Sequence, residues 1–304
     1  EKAHGYQISK MCEAFAQAGI DVTLVVADRK NVLRGTDPLG YYGLTTTFPL
    51  RYVPVIDLLP YVPGWAQAPF FALERWTFLR AARRLLERER PDYVYTRDVE
   101  TAAFVKRLGI PHVICEVHQF PSHPQQLNEI DEGISVTAHM ADRLRAQMPT
   151  LRVETIPSGV DAVVFNPAVT QAEARAQLGI GPEARMVVYG GRFSTMSAGK
   201  GLGFLDDVVS EVAKRISEAK LYLIGGTNKE FSQIEGKAPS KVTYCIPPQP
   251  RETLALYYRA ADVLVMAFPA TQHYAYEMSP LKLFEYLVSG TPILTSDLPS
   301  VREI

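Results

Sequence analysis

Two glutamates near the end of the chain have a spacing that suits a ligand-binding site. Glu277 and Glu285 are eight positions apart, and Ser279-Pro280 between them precedes an apolar run with helical spacing. Proline is tolerated at the start of a helix, and serine before it is a favoured N-cap. We therefore predict a helix over 281–287, with Glu277 just ahead of it and Glu285 about a turn and a half inside. The N-terminus of such a helix binds anions, which suits a phosphate-bearing sugar ligand.

Two basic residues lie upstream of these acids in a glycine-rich setting. A strand-like run over 185–189 ends in Gly190-Gly191-Arg192, and Lys200 precedes the next helical run after a flexible loop. Glycine lets a backbone approach a ligand, while arginine and lysine neutralise phosphate groups. Taken alone, Arg192 and Lys200 would be better interpreted as surface charges. Together with the acids they predict a diphosphate clamp, although neither a Walker A loop nor G-x-G-x-x-G is present.

Two histidines occupy positions where ligands bind in open α/β sheets. His118 follows a strand over 111–117, at its carboxyl end. His4, with Gly5, lies at the start of the first predicted helix. A structural role for His118 and a capping role for His4 remain the alternatives.

Strands and helices alternate along most of the chain. A helix over 6–19 and a strand over 22–27 are followed by an irregular stretch over 28–72, a basic helix to about residue 90, and strands at 91–97, 111–117 and 134–138. After a turn-rich linker, strands at 185–189, 221–224, 242–244, 262–266 and 293–296 alternate with helices at 202–218, 250–260 and 281–287. This order predicts an α/β fold with two Rossmann-like, doubly wound domains, residues 1–165 and 166–304. We also expect a strand before residue 1 and further elements after residue 304.

Composition argues against several classes of protein. The formal net charge of -1 gives no reason to expect a nucleic-acid partner. The three cysteines, Cys12, Cys115 and Cys245, fit neither a disulfide framework nor a zinc site, so we predict reduced thiols in a cytoplasmic protein. In the region 65–90, aromatic residues accompany arginines. The favoured interpretation is an amphipathic helix with its aromatics in the core, and the alternative is peripheral contact with the inner face of a membrane.

The motifs taken together resemble the retaining glycosyltransferases of family 4, which have the GT-B fold. Glu277-x7-Glu285 and the Ser-Gly-Thr-Pro-Ile sequence after it are similar to that family's E-x7-E region. Residues 156–167 resemble its interdomain signature, and Gly191-Arg192 with Lys200-Gly201 is similar to its diphosphate-binding segment. Two departures are Met278-Ser279-Pro280, where many members have glycines, and Ser158, where asparagine is common.

This resemblance implies a role for each matching position. Glu277 would lie beside the transferred sugar, Glu285 would bind the ribose, and Arg192 with Lys200 would neutralise the diphosphate. His118 would position the sugar. The remaining donor-side positions, contributing mostly backbone, would be Gly5 in a loop after the expected first strand, Gly191, Tyr244, Ile246, Ser279, Pro280, Leu281 and Lys282.

The resemblance also implies a reaction. A hexosyl- or other glycosyltransferase would move a sugar from a UDP- or GDP-linked donor to a hydroxyl of a glycan, a lipid-linked acceptor or a small molecule, with retention of configuration. The sequence has no Asp-x-Asp motif, so we expect cationic side chains and helix N–H groups to replace a metal ion, with no cofactor required. The alternatives are a sugar-nucleotide epimerase of similar fold and a non-catalytic sugar-nucleotide-binding protein.

Overall fold

The computed structural model describes residues 3–31, 33, 35–195 and 198–304. The chain separates into two compact units, residues 1–114 and 115–304. The domain boundary expected at residues 165 and 166 stays a prediction.

A parallel strand pair lies in the first half of the first unit. Its elements are helix α1 (Ala3–Gln17), strand β1 (Leu24–Asp28), helix α2 (Pro38–Tyr42), strand β2 (Leu50–Pro54), 3₁₀ turns at Leu59–Tyr61 and Gly64–Ala66, helix α3 (Ala68–Glu89), strand β3 (Tyr93–Thr96), helix α4 (Val99–Arg107) and the start of strand β4 (His112–Val117). Strands β1 and β2 are parallel, with Leu24 opposite Leu50. The prediction of an irregular chain over 28–72 is therefore wrong for β2. Only Val53 of β2 is buried, so this strand lacks a clear hydrophobic alternation.

The second unit begins with the end of β4. It continues with a 3₁₀ turn at Pro124–Glu129, strand β5 (Glu132–Ser135), helix α5 (Ala138–Gln147), strand β6 (Arg152–Thr155) and helix α6 (Ala162–Phe165). Strands β5 and β6 are parallel, with Glu132 opposite Arg152. Thr137 caps α5 by accepting the N–H of Met140. The same hydroxyl donates to the carbonyl of Tyr276 at 2.8 Å, which joins α5 to the segment that carries Glu277.

The rest of the second unit is built on a five-stranded sheet. Its elements are α7 (Gln171–Gln177), β7 (Arg185–Gly190), β8 (Ser194–Thr195), β9 (Ala198–Gly199), α8 (Leu202–Ala213), β10 (Ala219–Ile224), α9 (Asn228–Glu235), β11 (Thr243–Ile246), α10 (Arg251–Ala260), β12 (Val263–Met266), a π-helix at His273–Glu277, α11 (Leu281–Ser289), β13 (Ile293–Thr295) and α12 (Pro299–Arg302). The strand order is β11-β10-β7-β12-β13, and the pairs are parallel. The prediction of an α/β fold with parallel sheets is confirmed.

Alternate residues of the central strand β7 enter two separate cores. Met186 and Val188 pack with Tyr258 of α10 and Tyr286 of α11. Tyr189 packs on the other face with residues of α8, α9 and β10. Helices thus cover both faces, which is why these strands have continuous apolar sequences and could be predicted.

Several predicted elements differ from the structure. Helix α8 ends at Ala213, not at residue 218, because the N–H of Arg215 bonds to Val212 in a tighter turn. Helix α9 was not predicted, although Thr227 and Glu230 form a capping box at its start. The loop expected to be flexible after Arg192 contains the short antiparallel pair β8–β9. Met196 and Ser197, within that loop, lie outside the described residues.

The cysteines agree with the prediction of reduced thiols, whereas the tryptophans of the region 65–90 do not agree with the favoured interpretation. All three cysteines are free, with Cys12 and Cys115 buried and Cys245 partly buried. The favoured interpretation of the region 65–90 is wrong for its two tryptophans, since Trp65 is 89% exposed and Trp76 is 58% exposed. Among the described residues, no helix combines the length and the apolar character that crossing a bilayer requires.

Candidate functional site

The five-stranded sheet changes direction between β7 and β12. The chain adds β10 and β11 on one side of β7 and then crosses to add β12 and β13 on the other. Loops leaving neighbouring strands on opposite sides of a sheet diverge at such a point, and ligands of doubly wound folds bind there. Gly190 ends β7, and Ala267-Phe268 follows β12 at the same edge. A ligand of this sheet is therefore expected at this edge.

The glycines after β7 are required by close packing. Gly191 has φ 127°, a conformation that favours glycine, and a Cβ there would collide with Lys282 Nζ. Gly225, after β10, also has φ 127°, and a Cβ on it would lie 2.5 Å from the carbonyl oxygen of Gly191. The N–H of Gly191 donates to the carbonyl of Ile224 at 2.6 Å. Gly191 and Gly225 thus allow their two backbones to approach closely, while the N–H of Gly191 is used in a hydrogen bond to the end of β10.

Lys200 is a buried cation at the start of α8. Its residue is 9% exposed, and its Nζ lies 5.9 Å from the centre of the Phe268 ring. Gly201, with φ 73°, caps α8, and a Cβ there would strike the carbonyl of Ala267. The start of α8 is thereby pressed against the chain that leaves β12. This contact holds Lys200 at the switch point of the sheet.

Lys282 brings a second ammonium to the same place. It lies in the first turn of α11, and its Nζ donates to the carbonyl of Gly190. The ammonium also lies 4.5 Å from the centre of the Tyr189 ring, within cation–π range. Only the backbone of Lys282 was predicted to face the donor. Its side chain also lies at the glycine turn after β7.

Arg192, Lys200 and Lys282 form a cation cluster. Burial, followed by the charges of Lys282 and Arg192, lowers the pKa of Lys200 to about 7. Burial likewise lowers the pKa of Lys282 to about 8, against the opposing effect of Glu285. Arg192 itself is exposed. Three cations that repel one another around a glycine turn make a site that an anion would stabilise.

Glu277 ends the π-helix, and three residues separate it from α11. Its side chain is 12% exposed, and Oε2 lies 4.0 Å from His273 Nδ1. Tyr274 in the same π-helix stacks on Phe268 with ring centres 4.8 Å apart. Lys200 lies over the Phe268 ring of this stack. Phe268 therefore contacts both the π-helix and the cation cluster. The predicted order of Glu277, helix start and Glu285 is confirmed, but the π-helix was not predicted.

The start of α11 differs from the prediction at Ser279. Pro280 occupies the N-cap position, and no side chain caps the helix. The hydroxyl of Ser279 instead accepts the N–H of Ser158 at 2.9 Å. Ser279 as N-cap is therefore wrong, because its oxygen serves a residue far away in the chain. Leu281 follows as the first helical residue, as predicted.

Glu285 is held inside the second unit by a phenol. Its Oε2 accepts a hydrogen bond from Tyr258 of α10 at 3.1 Å. Burial raises the pKa of the Glu285 carboxyl, while Lys282 and Tyr258 act in the opposite direction. A neighbouring phenol, that of Tyr286, accepts the N–H of Gly190 at 3.1 Å and donates to the carbonyl of Val265. Glu285 and the glycine turn therefore belong to one buried network.

The remaining predicted residues lie apart from this network or at its edge. Tyr244 is in the middle of β11 and stacks on Tyr222 with ring centres 5.2 Å apart. Ile246 ends β11, where its carbonyl accepts the N–H groups of Gly225 and Gly226. Tyr244 thus lies two residues before the strand end, which Ile246 forms.

His118 and Gly5 also have defined surroundings. The His118 ring bonds to Glu116, a buried carboxylate two residues earlier in β4. Gly5 belongs to the first unit and lies within the first turn of α1, not in a loop before it. A Cβ on Gly5 would lie 2.6 Å from the Tyr42 hydroxyl. The side chain of His4 lies outside the described residues.

Family models match both parts of the chain. The model described as Glycosyltransferase Family 4 matches residues 5–164, more than half of the chain, and that described as Glycosyl transferases group 1 matches residues 184–304. The chain belongs to glycosyltransferase family 4. The resemblance found in its motifs is confirmed.

Curated relatives of this family 4 chain include two mycobacterial enzymes named D-inositol 3-phosphate glycosyltransferase. The one from Mycobacteroides abscessus is 28% identical over 57% of this chain and 38% of its own length. The one from Mycolicibacterium gilvum is 30% identical over the same shares. The chain thus matches well under half the length of these relatives.

Solved structures share the fold at low sequence identity. Sucrose-phosphate synthase from Thermosynechococcus elongatus superposes with a TM-score of 0.69 at 20% identity, over 97% of this chain and 76% of that one. Anabaena HepE in complex with UDP-glucose gives a TM-score of 0.64 at 13% identity, over 100% of this chain and 79% of that one. These similarities assign the family 4 chain to the GT-B fold.

Three side chains of the network were missed at the level of sequence. Glu285 and Tyr286 lie three and four residues after Lys282 in α11, so both side chains neighbour that of Lys282. That spacing was a usable signal. Tyr258 had no such signal in the sequence, because its contact with Glu285 joins two helices.

In the part of the chain that the structure describes, no cluster of three or more His, Cys, Asp or Glu side chains could hold a metal ion.

Proposed function

We propose that this chain transfers a sugar from a nucleotide-diphosphate donor to an acceptor hydroxyl, with retention of configuration. The observation that carries the proposal is the cation cluster at the switch point of the five-stranded sheet. Burying Lys200 beside Lys282 and Arg192 is unfavourable unless an anion joins them. Membership of glycosyltransferase family 4 supports a sugar nucleotide as that anion.

The proposed roles follow the chemistry of each group. Arg192 and Lys200 bind the diphosphate, with the Lys282 ammonium and the backbone around Gly191 and 279–282 beside them. Glu285 accepts hydrogen bonds from the ribose hydroxyls, since an ionised carboxylate is an acceptor only. Glu277 lies next to the transferred sugar.

Three further positions are proposed with less detailed roles. His118 orients the sugar. Gly5 faces the acceptor side. Ile246 and the backbone near Tyr244 border the base.

Electrostatic stabilisation of the leaving group provides the catalysis in this scheme. Cleavage of the sugar–phosphate bond leaves positive character on the sugar carbon and a new negative charge on the diphosphate. Cations fixed before the reaction stabilise that charge without reorganising during it. Side chains thereby take the place of a metal ion, and no other cofactor takes part.

The donor is proposed to be UDP- or GDP-linked. Support for UDP comes from HepE, solved with UDP-glucose, and from the E. coli trehalose-6-phosphate protein, solved with UDP-2-fluoro glucose. The acceptor is proposed to be a hydroxyl on a small molecule, a glycan or a lipid-linked sugar. The name of the mycobacterial relatives favours a phosphorylated small molecule among these.

The test is transfer from defined donors with and without acceptors. UDP- and GDP-linked sugars are incubated with the chain and a panel of inositol phosphates, sugar phosphates and free sugars, and products are separated by mass spectrometry. A glycosylated acceptor with the anomeric configuration of the donor is expected. An altered nucleotide sugar formed without any acceptor would instead indicate an epimerase, and binding without product would indicate a binding protein.

We also propose peripheral contact between an anionic membrane surface and the region 65–90. Trp65 and Trp76 are exposed, and the Arg80 guanidinium lies 5.7 Å from the Trp76 ring centre. Exposed arginines attract anionic headgroups, and tryptophans favour the interface. Sedimentation with phosphatidylglycerol vesicles should decrease when both tryptophans become serine. It should not decrease for Tyr93→Ser, an exposed aromatic outside the region, and equal binding by all three proteins would refute the contact.

A further inference from the structure

Tyr258 is a buried phenol bonded to the carboxylate that the proposed function assigns to ribose. It lies on α10 and is fully buried. Its hydroxyl donates to Glu285 Oε2 at 3.1 Å. Burial and the nearby Glu285 raise the pKa of Tyr258 well above its ordinary value, so the phenol keeps its proton and remains a donor.

The Tyr258 ring is fixed from several directions. Gly190 makes room for it, since a Cβ at Gly190 would collide with the phenol. Tyr286 meets the ring edge-on, with centres 4.9 Å apart, and Phe165 stacks on it at 5.9 Å. The carbonyl of Tyr258 accepts the hydroxyl of Thr291 at 2.8 Å. A side chain held this closely can hold its partner in one orientation.

Glu285 needs such a partner because it has more than one arrangement available. A glutamate side chain has three rotatable bonds, and a buried carboxyl tends to take up a proton. A protonated carboxyl would offer a donor where ribose hydroxyls need an acceptor. The Tyr258 hydrogen bond engages Oε2 and so directs Oε1.

We propose that Tyr258 is a positioning residue for nucleotide recognition: its hydroxyl orients Glu285 so that the carboxylate accepts hydrogen bonds from the ribose of the donor. This inference rests on the proposed function, in which Glu285 meets the ribose. It assigns the preference for ribose over deoxyribose to a residue that does not itself touch the ligand. Tyr286, equally buried and adjacent, bonds to Gly190 and Val265 and has no such role.

The experiment compares ribose and deoxyribose ligands. Affinities for UDP and 2′-deoxy-UDP, and for GDP and 2′-deoxy-GDP, are measured by isothermal titration calorimetry on the wild type, Tyr258→Phe and Tyr286→Phe. A hydrogen bond to a charged group discriminates by about tenfold or more, so the wild type should prefer the ribose form by at least about that factor. Tyr258→Phe should lose most of this preference through weaker binding of the ribose form alone. Tyr286→Phe should keep it, since any general loss of packing affects both ligands equally.

A second variant protects the test against misfolding. Tyr258→Phe leaves a buried carboxylate without its donor, so the same ligands are also measured on Glu285→Gln and on the double variant. The ratio of ribose to deoxyribose affinity should be no smaller in the double variant than in Glu285→Gln alone, because the two changes act on one interaction.

Each result decides between the two proposals. A preference for ribose that persists in Tyr258→Phe overturns the positioning role and leaves the proposed function intact. A wild type that binds no nucleoside diphosphate overturns the proposed function, and the positioning role with it.

Discussion

Replacement of Lys200 by methionine should stabilise the free protein and weaken its binding of nucleoside diphosphates. The ammonium of Lys200 is buried beside two other cations, and methionine keeps the length of the side chain without the charge. The perturbation therefore removes an unfavourable charge from the empty site. It also removes a favourable one from the occupied site.

The magnitude of the stabilisation follows from the pKa of Lys200. Its value falls from 10.5 to about 7, and each unit corresponds to about 1.4 kcal/mol. Below pH 7 both folded and unfolded chains carry the charge, and the penalty reaches its full value, on the order of 5 kcal/mol. Between pH 7 and 10.5 only the unfolded chain remains protonated, so stability rises with pH until the penalty disappears. Methionine removes this contribution to the pH dependence of stability.

The effect on binding has the opposite sign. A hydrogen bond to a charged group contributes about 1.5 to 3 kcal/mol, so the affinity for UDP or GDP should fall roughly 10- to 100-fold. Urea unfolding at pH 6 and pH 10 and calorimetric titration of UDP and GDP at pH 6 measure the two effects. The control is Lys214→Met, which removes an exposed lysine paired with Glu211. Unchanged or lower stability of Lys200→Met at pH 6, or undiminished diphosphate affinity, would refute the reasoning.

Proton uptake on binding, turnover and stability provide three other tests. Binding of UDP or GDP at pH 8 should cause Lys200 or Lys282 to take up a fraction of a proton, because the diphosphate raises pKa values that lie near 7 and 8. Calorimetric titration in two buffers of different ionisation enthalpy measures this uptake, and zero uptake contradicts the prediction. Glu277→Gln should reduce turnover by about 100-fold or more with diphosphate affinity unchanged, because an amide keeps the shape of the side chain but not its charge beside the sugar. The measurement compares kcat with the UDP or GDP affinity of the same variant, and wild-type turnover would show that Glu277 is not part of the site. Glu303→Gln should cost about 1 kcal/mol, since the Glu303 carboxylate accepts the N–H of Ala138 at the start of α5; urea unfolding measures it, and Glu154→Gln serves as the exposed control.

The sequence was sufficient for the parts of the fold that depend on local pattern. Strands β7 and β12 are buried on both faces, so their apolar runs were unambiguous. Helix α11 was predicted from its apolar spacing and from Gly290, which ends it with φ 71°. Strand β2 was missed because only one of its residues is buried. A pattern can be detected only where burial imposes one.

The site was predictable as a set of charges but not as a set of contacts. Ser279 bonds to Ser158, 121 residues away, and Lys282 bonds to Gly190, 92 residues away. Such pairings depend on how strands and helices pack, which local spacing does not encode. The pairing of Tyr258 with Glu285 could not be predicted for the same reason, because helices α10 and α11 come together only in the folded unit.

Helix α11 presents the three groups of the network at fixed intervals. Glu285 and Tyr286 follow Lys282 by three and four residues, so both lie beside it on the helix. The rise of about 1.5 Å per residue separates Lys282 from Glu285 by roughly 4.5 Å along the axis. In the proposed site, Lys282 therefore lies on the phosphate side and Glu285 on the ribose side of a single rigid element. The phosphate-to-ribose distance of the donor is then recognised by a helix and not by a loop. Tyr244, stacked on Tyr222 of the neighbouring strand β10, offers the base no comparable anchor, so selectivity should be stronger for the diphosphate and ribose than for the base.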